Sequence, residues 1–296
     1  MTVSEAQLDI WAKQGSISQS QATYATVRGA LEASDASYAA RNYEIFLQGS
    51  YGNDTNIYAD SDVDVVIRLN ETFYRDLSDL DDAERVANDS HFANATYGHS
   101  DFKAAVTAQL VKKFGGAVNP GGKAIFIEGN GSRRDADVLV AAQWRRYFRF
   151  KSGTDQRYAE GLVFWTSESA KIVNYPKQHS ANCTTKHQAT GGWFKPSVRI
   201  LKNMRNAMIA KSSISLDLAP SYFLEGMLYN VPNATFGQSY QQTIAGALNW
   251  LTSCDRAKLL CANEMYYLLN PTSPVTWRGE KLEEYLKLTI AYWNSQ

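Results

Sequence analysis

The chain has 296 residues and a mass of 33.0 kDa, and its 30 basic and 30 acidic side chains give a formal net charge of zero. Apolar residues make up 44% and charged residues 20%, which excludes a disordered or fibrous chain. Zero net charge argues against a protein that coats nucleic acid non-specifically, since that binding needs a basic surface. It is compatible with a nucleotide bound in a local pocket. At about 150 residues per domain, the length predicts two lobes or one large domain.

The cysteines and the N-terminus indicate the compartment. Cys183, Cys254 and Cys261 are too few for a disulfide framework, and none forms the Cys-x-x-Cys pair of a zinc site. The first residues carry Glu5 and Asp9 where a signal peptide would be apolar. No apolar run reaches the about 18 residues of a membrane span. We therefore expect a soluble, cytoplasmic protein without a membrane partner.

The first half of the chain mixes helical and strand patterns. Residues 1–40 are predicted to be helical, with a capping-box pattern at Ser4 and Gln7. Gly121–Lys123 lacks the spacing of a phosphate-binding loop and predicts a hairpin turn. The predicted strands are 43–48, 63–69, 124–128, 136–140, 146–150 and 161–166, and the predicted helices between them are 76–88 and 101–114.

The pattern after residue 166 is that of helices alone. Pro196 fits the first turn of a helix that continues through an apolar stripe from Val198 to Met208. Further helices are predicted at 221–229, 241–251, 254–269 and 280–292. This order predicts an α+β fold in two lobes. Residues 1–166 would form the lobe of strands and helices, and residues 167–296 a helical lobe.

Charge is distributed unevenly along the chain. Residues 54–89 hold eleven acids against three arginines, whereas residues 169–216 contain eight lysines and arginines and no acid. One interpretation is two solvated faces that happen to differ. The other is an acidic lobe that holds metal and a basic lobe that holds phosphate, on two sides of one cleft.

Two aspartates begin the second predicted strand. Alternation places Asp62 and Asp64 on one face, about 6.5 Å apart at Cα. Carboxylates so placed repel each other, which raises a pKa or requires a cation. Two divalent ions about 3.5–4 Å apart would relieve the repulsion and serve phosphoryl chemistry. Oxygen ligands favour magnesium, with manganese possible, over zinc.

A third acid is needed to complete such a site and to accept or orient an attacking hydroxyl. Asp137 directly precedes an apolar run, as Asp64 does, and we favour it for that reason. Asp135 lies on the same face by period and competes for the role. An Asp-x-Asp pair alone is also typical of solvated strand entrances and calcium loops. The combination is more specific: a strand, the Gly49–Ser50 turn, about a dozen residues, the pair, and a later single aspartate.

The turn and the strand after it resemble the signature of the polymerase-β-like nucleotidyltransferases: residues 49–67 read GSYGNDTNIYADSDVDVVI. The fuller form is similar to the cGAS/DncV-like nucleotidyltransferases (CD-NTases) of bacterial anti-phage signalling. Two later segments are similar to the helical lobe of that family and look most like its clade E. They are residues 174–206, NYPKQHSANCTTKHQATGGWFKPSVRILKNMRN, and residues 219–232, APSYFLEGMLYNVP.

For residues 1–166 the resemblance implies a mixed sheet with flanking helices and an N-terminal spine helix. It also implies a role for each matching residue. Three carboxylates would bind two magnesium ions, and five further residues would bind nucleotide. The carboxylates are Asp62, Asp64 and Asp137. Gly49 and Ser50 would approach the triphosphate, and Lys202 would bind it. Ser221 would contact a phosphate, and Tyr222 would stack on the base. Such stacking tolerates any base.

Structural alternatives exist for several of these residues. Lys202 could be one solvated cation among eight, Ser221 a helix N-cap, and Tyr222 part of the core. The four histidines have no i, i+4 partner histidine, which argues against a role as metal ligands. His179 and Asn182 lie in the basic segment and could touch a base edge.

The resemblance implies an enzyme that joins two nucleoside triphosphates into a cyclic dinucleotide, or into a cyclic oligonucleotide, with release of pyrophosphate. ATP is the expected first substrate, uridine and guanosine remain open for the second, and an effector would bind the product. One alternative is a transferase that makes linear products, extends RNA ends, or modifies a small molecule or protein. The other is a silent nucleotide sensor. A pI of about 6.9 disfavours a stable nucleic acid partner.

Overall fold

The computed structural model describes residues 2–58 and 62–295, which group into two compact units. Unit 1 comprises Met1–Ser16, Gly49–Asp60 and Lys177–Gln296, and unit 2 comprises Ile17–Gln48 and Ser61–Pro176. The N-terminal helix and the Gly49–Ser50 turn therefore group with the helical residues, unlike in the predicted division after residue 166. As a division of function, lobes 1–166 and 167–296 stay a prediction.

Unit 2 is built on a seven-stranded mixed sheet. The strands are β1 Tyr43–Leu47, β2 Val63–Asp76, β3 Val118–Pro120, β4 Ile125–Ile127, β5 Ala136–Phe150, β6 Gln156–Trp165 and β7 Lys171–Asn174, and the helices are α2 Ser18–Leu31, α4 Asp82–His91 and α5 His99–Phe114. The sheet order is β1-β2-β5-β4-β3, with β6 paired to β5 and β7. Central strands β2 and β5 are parallel, and the other pairs are antiparallel.

Unit 1 is helical. Its helices are α1 Glu5–Ala12, the single turn α3 Gly49–Gly52, α6 Pro176–Ala189 (counted from Lys177), α7 Phe194–Ala210, α8 Ser221–Asn230, α9 Tyr240–Ser253 and α10 Gly279–Ser295. The apolar stripe of α7, which includes Val198, Leu201 and Met204, is buried in the core of this unit. The side chain of Ser4 accepts the backbone N–H of Gln7 at 3.3 Å, which caps α1 as the sequence predicts.

The predicted α+β class, with a mixed sheet and a C-terminal helical part, is confirmed, but several predicted elements are wrong. The strands expected at 136–140 and 146–150 are one strand, since β5 pairs along its length with β2, β4 and β6. The helix expected at 76–88 begins at Asp82, after β2 has ended at Asp76. The region after residue 166 is not helical throughout, because β7 pairs with β6.

The helix predicted at 254–269 is absent from the described structure of that segment. Asp255 accepts the backbone N–H of Ala257 and caps a short 3-10 turn, and Asn263 accepts that of Met265. These local bonds compete with a helix. Leu260 then pairs with Tyr267 as an isolated β-bridge. The apolar spacing that suggested a helix instead reflects side chains that enter the core from a loop.

The hairpin predicted at Gly121–Lys123 is confirmed: β3 and β4 pair in antiparallel fashion, and Gly121 donates its N–H to the carbonyl of Ala124 at 3.0 Å. Within the described residues, every helix is too short or too polar to cross a membrane.

Candidate active site

The predicted carboxylates of unit 2 lie at the start of the two central strands. Asp64 and Asp137 are direct register partners on the parallel pair β2 and β5, and Asp62 lies two residues before Asp64. Parallel neighbours are about 4.8 Å apart, so the sheet brings two residues from distant parts of the sequence side by side. Asp64 and Asp137 are half-buried, and Asp62 is exposed.

Alternation explains why these side chains reach solvent. Val63 and Val65 of β2 and Val138 of β5 are fully buried, and the aspartates between or beside them occupy the opposite face. Burial raises the pKa of Asp137, and the charges of Asp62 and Asp135 raise it further. Negative charge is therefore concentrated around Asp137 at the start of the two strands.

Asp135 has a structural role before β5. Its Oδ1 accepts the backbone N–H of Gly129 at 2.7 Å, and its backbone carbonyl accepts the N–H of Val63 at 3.0 Å. The side chain therefore holds the turn that precedes β5. This favours Asp137 as the third carboxylate.

The Gly-Ser turn begins directly after β1. Gln48 donates its N–H to the carbonyl of Asp64 at 3.0 Å, and Gly49 follows with a left-handed φ of 64° that favours glycine. The single turn α3 is closed by bonds from Asn53 N–H to the Gly49 carbonyl (3.1 Å) and from Thr55 N–H to the Ser50 carbonyl (2.9 Å). Ser50 is half-buried at the start of this turn.

Four consecutive residues, from Gly52 at the end of this turn to Thr55, are held by side chains of helices in unit 1; we call residues 52–55 the anchored loop. The carbonyl of Gly52 accepts the hydroxyl of Ser180 at 3.2 Å. Asp54, at a left-handed φ of 55°, accepts the ammonium of Lys195 on its carboxylate (3.0 Å) and the guanidinium of Arg199 on its carbonyl (2.7 Å). The helices therefore fix the path of the chain at the end of the Gly-Ser turn.

Lys202 lies in the same arrangement. Its side chain is fully buried, and its ammonium donates to the carbonyl of Thr55 at 3.1 Å. This bond to the anchored loop gives Lys202 a structural role beside the phosphate contact that the family resemblance implies. A buried ammonium needs such partners, because an uncompensated charge in the interior is costly.

The carboxylate of Glu225 is the centre of this network. It is 2% exposed and accepts bonds from the Asn53 amide at 3.0 Å, the Thr55 hydroxyl, and Nε2 of His179 at 2.6 Å. Burial raises the pKa of Glu225, but the bonds from His179 and Thr55 and the charge of Lys202 lower it below its usual value overall. Glu225 is therefore held as an ionised carboxylate.

The predicted nucleotide residues of α8 lie beside Glu225. The hydroxyl of Ser221 accepts the Arg205 guanidinium at 3.2 Å, and Ser221 is the first residue of the helix rather than its side-chain cap. Tyr222 stacks on the imidazole of His179, with 4.8 Å between ring centroids and 23° between planes, and its hydroxyl accepts the amide of Asn263 at 3.0 Å. Burial raises the pKa of Tyr222 far above its ordinary value.

Sequence reasoning missed Glu225, Asn53 and Thr55, and it discounted His179 as a ligand. His179, Cys183 and Glu225 are buried and offer metal-ligating atoms that all lie within 4.8 Å of one another. A search for paired histidines passes over them, although His179 and Cys183 are four residues apart on one helix. That i, i+4 spacing was the available signal. Asn182 instead donates its amide to the carbonyl of Ala262 at 2.9 Å.

The charged segments also have local partners. In unit 2, Asp79 pairs with Arg146 at 2.8 Å and Asp89 with Arg75 at 2.9 Å. Lys186 donates to the carbonyl of Val231 at 2.5 Å in unit 1. Many charges of these segments thus serve the fold, and the expectation of an acidic and a basic wall stays a prediction.

Two cavities of about 670 and 760 Å³ lie on unit 2 and share Tyr74 and Trp165 in their walls. None of the residues predicted to bind metal or nucleotide lines either cavity. Neither is therefore part of the candidate site.

Two family models match the chain. The cGAS/DncV-like nucleotidyltransferase C-terminal helical domain matches residues 181–294, and the nucleotidyltransferase domain matches residues 29–103.

Similar proteins match along nearly their whole length. Cyclic UMP-AMP synthase of Rhodothermus marinus is 37% identical in sequence over 99% of this chain and 98% of the synthase. The structure of the Rhodothermus marinus CdnE synthase with Apcpp and Upnpp superposes on this chain with a TM-score of 0.89. Cyclic nucleotide synthase CdnE01 of Staphylococcus haemolyticus is 33% identical over 99% of both chains. The CdnE cyclic dinucleotide synthase of Elizabethkingia meningoseptica, solved with GTP and Apcpp, is 30% identical over 98% of both chains with a TM-score of 0.77.

Proposed function

This chain belongs to the cGAS/DncV-like nucleotidyltransferases, in the CdnE clade, and from that premise we propose how its residues divide the work of the reaction. The enzyme is a nucleotidyltransferase that joins nucleoside triphosphates into a cyclic dinucleotide or cyclic oligonucleotide and releases pyrophosphate. The product is a second messenger of anti-phage signalling.

The observation that carries the assignment of the site is the register of Asp64 and Asp137 on neighbouring parallel strands. Together with Asp62, it provides three carboxylates at one strand entrance. Burial and the charges of Asp62 and Asp135 raise the pKa of Asp137, as expected where carboxylates crowd together. A cluster of this kind is suited to a divalent cation, which relieves the repulsion and prefers oxygen ligands.

Nucleotidyltransferases of this type generally use a divalent metal, and the donor set of this chain fits one. Asp62, Asp64 and Asp137 would hold two magnesium ions, with manganese as a substitute. Such ions neutralise the triphosphate charge and stabilise the attacking and leaving oxygens.

Asp137 is the proposed base. Its carboxylate takes the proton of a ribose hydroxyl while that oxygen forms a bond to the α-phosphorus of the other nucleotide and the bond to pyrophosphate breaks. A second round of the same step closes the ring.

The remaining predicted residues bind the nucleotides. Gly49 lets the backbone approach the triphosphate, Ser50 donates its hydroxyl to it, and Ser221 contacts a phosphate. The ring of Tyr222 stacks on a base, and Lys202 binds the triphosphate. The proposed substrates are ATP with UTP or GTP, and the cyclic product reaches a downstream effector. No stable nucleic acid partner is proposed.

The test is incubation of the protein with all four labelled nucleoside triphosphates in magnesium or manganese, followed by phosphatase. Cyclic products keep their label, whereas linear products lose it. Asp64→Asn is expected to abolish turnover, because it removes a metal-binding carboxylate, while the circular dichroism spectrum stays close to wild type and the melting temperature does not fall. Normal pyrophosphate release by Asp64→Asn would overturn the site, and exclusively phosphatase-sensitive product would indicate the linear transferase instead.

A further inference from the structure

The buried carboxylate of Glu225 has contacts that a purely structural acid does not need. A carboxylate placed in a protein core is expensive, and cores usually replace it with an apolar residue. Here it receives hydrogen bonds from two side chains of the anchored loop, Asn53 and Thr55, and from His179 of α6. The cost of burying this charge is offset by holding one particular loop.

The anchored loop is continuous with the Gly-Ser turn. The N–H of Thr55 bonds the carbonyl of Ser50, and the N–H of Asn53 bonds that of Gly49. The residues whose side chains Glu225 holds are thus the same residues whose backbones close the turn. A change in the position of Asn53 and Thr55 must be transmitted to Gly49 and Ser50.

Glu225 is also linked to the base-stacking end of the proposed site. His179 donates Nε2–H to Glu225 and lies flat against the ring of Tyr222. Because the hydrogen bond fixes the plane of the imidazole, it also fixes the surface on which Tyr222 packs. Glu225 is therefore connected both to the Gly49–Ser50 turn, which is proposed to bind phosphate, and to Tyr222, which is proposed to stack on a base.

We propose that Glu225 is a positioning residue for nucleotide binding: through Asn53 and Thr55 it sets the Gly49–Ser50 turn, and through His179 it sets the ring of Tyr222. This inference rests on the nucleotide-binding roles given above for Ser50 and Tyr222. The three donors also occupy both oxygens of Glu225, at the distances of hydrogen bonds. The proximity of His179 to Glu225 is thus explained by their hydrogen bond.

The test uses Glu225→Gln, which keeps the shape of the side chain but turns one acceptor oxygen into a donor that faces other donors. We expect its affinity for a non-reactive ATP analogue, measured by calorimetry with magnesium present, to fall about 10–100-fold, as for other groups that orient a ligating residue. KM for nucleotide should rise in parallel. Glu264→Gln is the matched control, because Glu264 is exposed in the same unit and accepts a tyrosine hydroxyl away from the loop.

A merely structural role would lower the melting temperature and the active fraction while leaving KM and the analogue affinity of the folded protein unchanged, and that result would overturn the inference. If Glu225→Gln does not fold, Thr55→Val carries the test, since it removes one bond to Glu225 with nearly constant volume. Thr55→Val should weaken the analogue about 3–10-fold, and unchanged affinity would again overturn the inference. Absence of product from the wild-type enzyme would instead refute the proposed function.

Discussion

Asp137→Asn should change stability and activity in opposite directions. The substitution removes one negative charge from a strand face that also carries Asp64 in register. Burial and the charges of Asp62 and Asp135 raise the pKa of Asp137, so its ionisation destabilises the fold as pH rises through that pKa. At neutral pH without metal, a neutral asparagine should therefore stabilise the protein.

The size of the expected gain in stability follows from the distance between the carboxylates of Asp64 and Asp137 on neighbouring strands. Two unit charges about 5–6 Å apart interact by about 3 kcal/mol at an effective dielectric constant of 20 and by less than about 1 kcal/mol in water. Since Asp64 and Asp137 are only half-buried, solvent screening places the expected gain near 1 kcal/mol. For a chain of this size, that corresponds to a rise of about 2–4 °C in melting temperature.

Activity should fall by about 10³-fold or more, because loss of a metal-binding carboxylate and base removes about 4 kcal/mol of transition-state stabilisation. The assay pairs pyrophosphate release with thermal melts in EDTA and in magnesium. Magnesium should stabilise the wild-type protein and have a much smaller effect on Asp137→Asn.

Asp135→Asn is the control. Its remaining Oδ1 can still accept the N–H of Gly129, so pyrophosphate release should stay within about threefold of wild type. Near-normal turnover of Asp137→Asn would refute the assignment of the site. A lower melting temperature of that variant in EDTA would refute the electrostatic reasoning.

Two further predictions concern the sheet of unit 2. Arg68 is 4% exposed and forms ion pairs with Glu44 and Glu160. Arg68→Met should lower the free energy of unfolding, measured in urea, by about 3 kcal/mol, because two carboxylates lose this cation. A decrease of less than about 1 kcal/mol would contradict that. Burial lowers the pKa of His99, so protonation opposes folding as pH falls below about 6.5. The melting temperature should therefore fall more between pH 7 and 5 in wild type than in His99→Gln, and equal losses would argue against this role.

The local features of the protein follow from short-range patterns. Alternation in β2 predicts buried valines with Asp62 and Asp64 on the other face, and the buried stripe of α7 follows from its helical period. The left-handed φ of Gly49 fits a turn that needs glycine. These properties depend on neighbours within a few residues, which the sequence contains. The segment at 254–269 is the exception, because short polar bonds there outcompete the helical pattern.

Partners from distant segments were decided by the tertiary structure. Asp64 and Asp137 become neighbours through parallel pairing, and the bond from Gly129 separates the role of Asp135 from that of Asp137. Asn53 and Thr55 meet Glu225 across more than half of the chain, and no local period marks such a contact. Composition alone gave a balanced net charge. Which of those charges hold the chain together, and which remain for nucleotide and metal, depends on the partners that folding supplies.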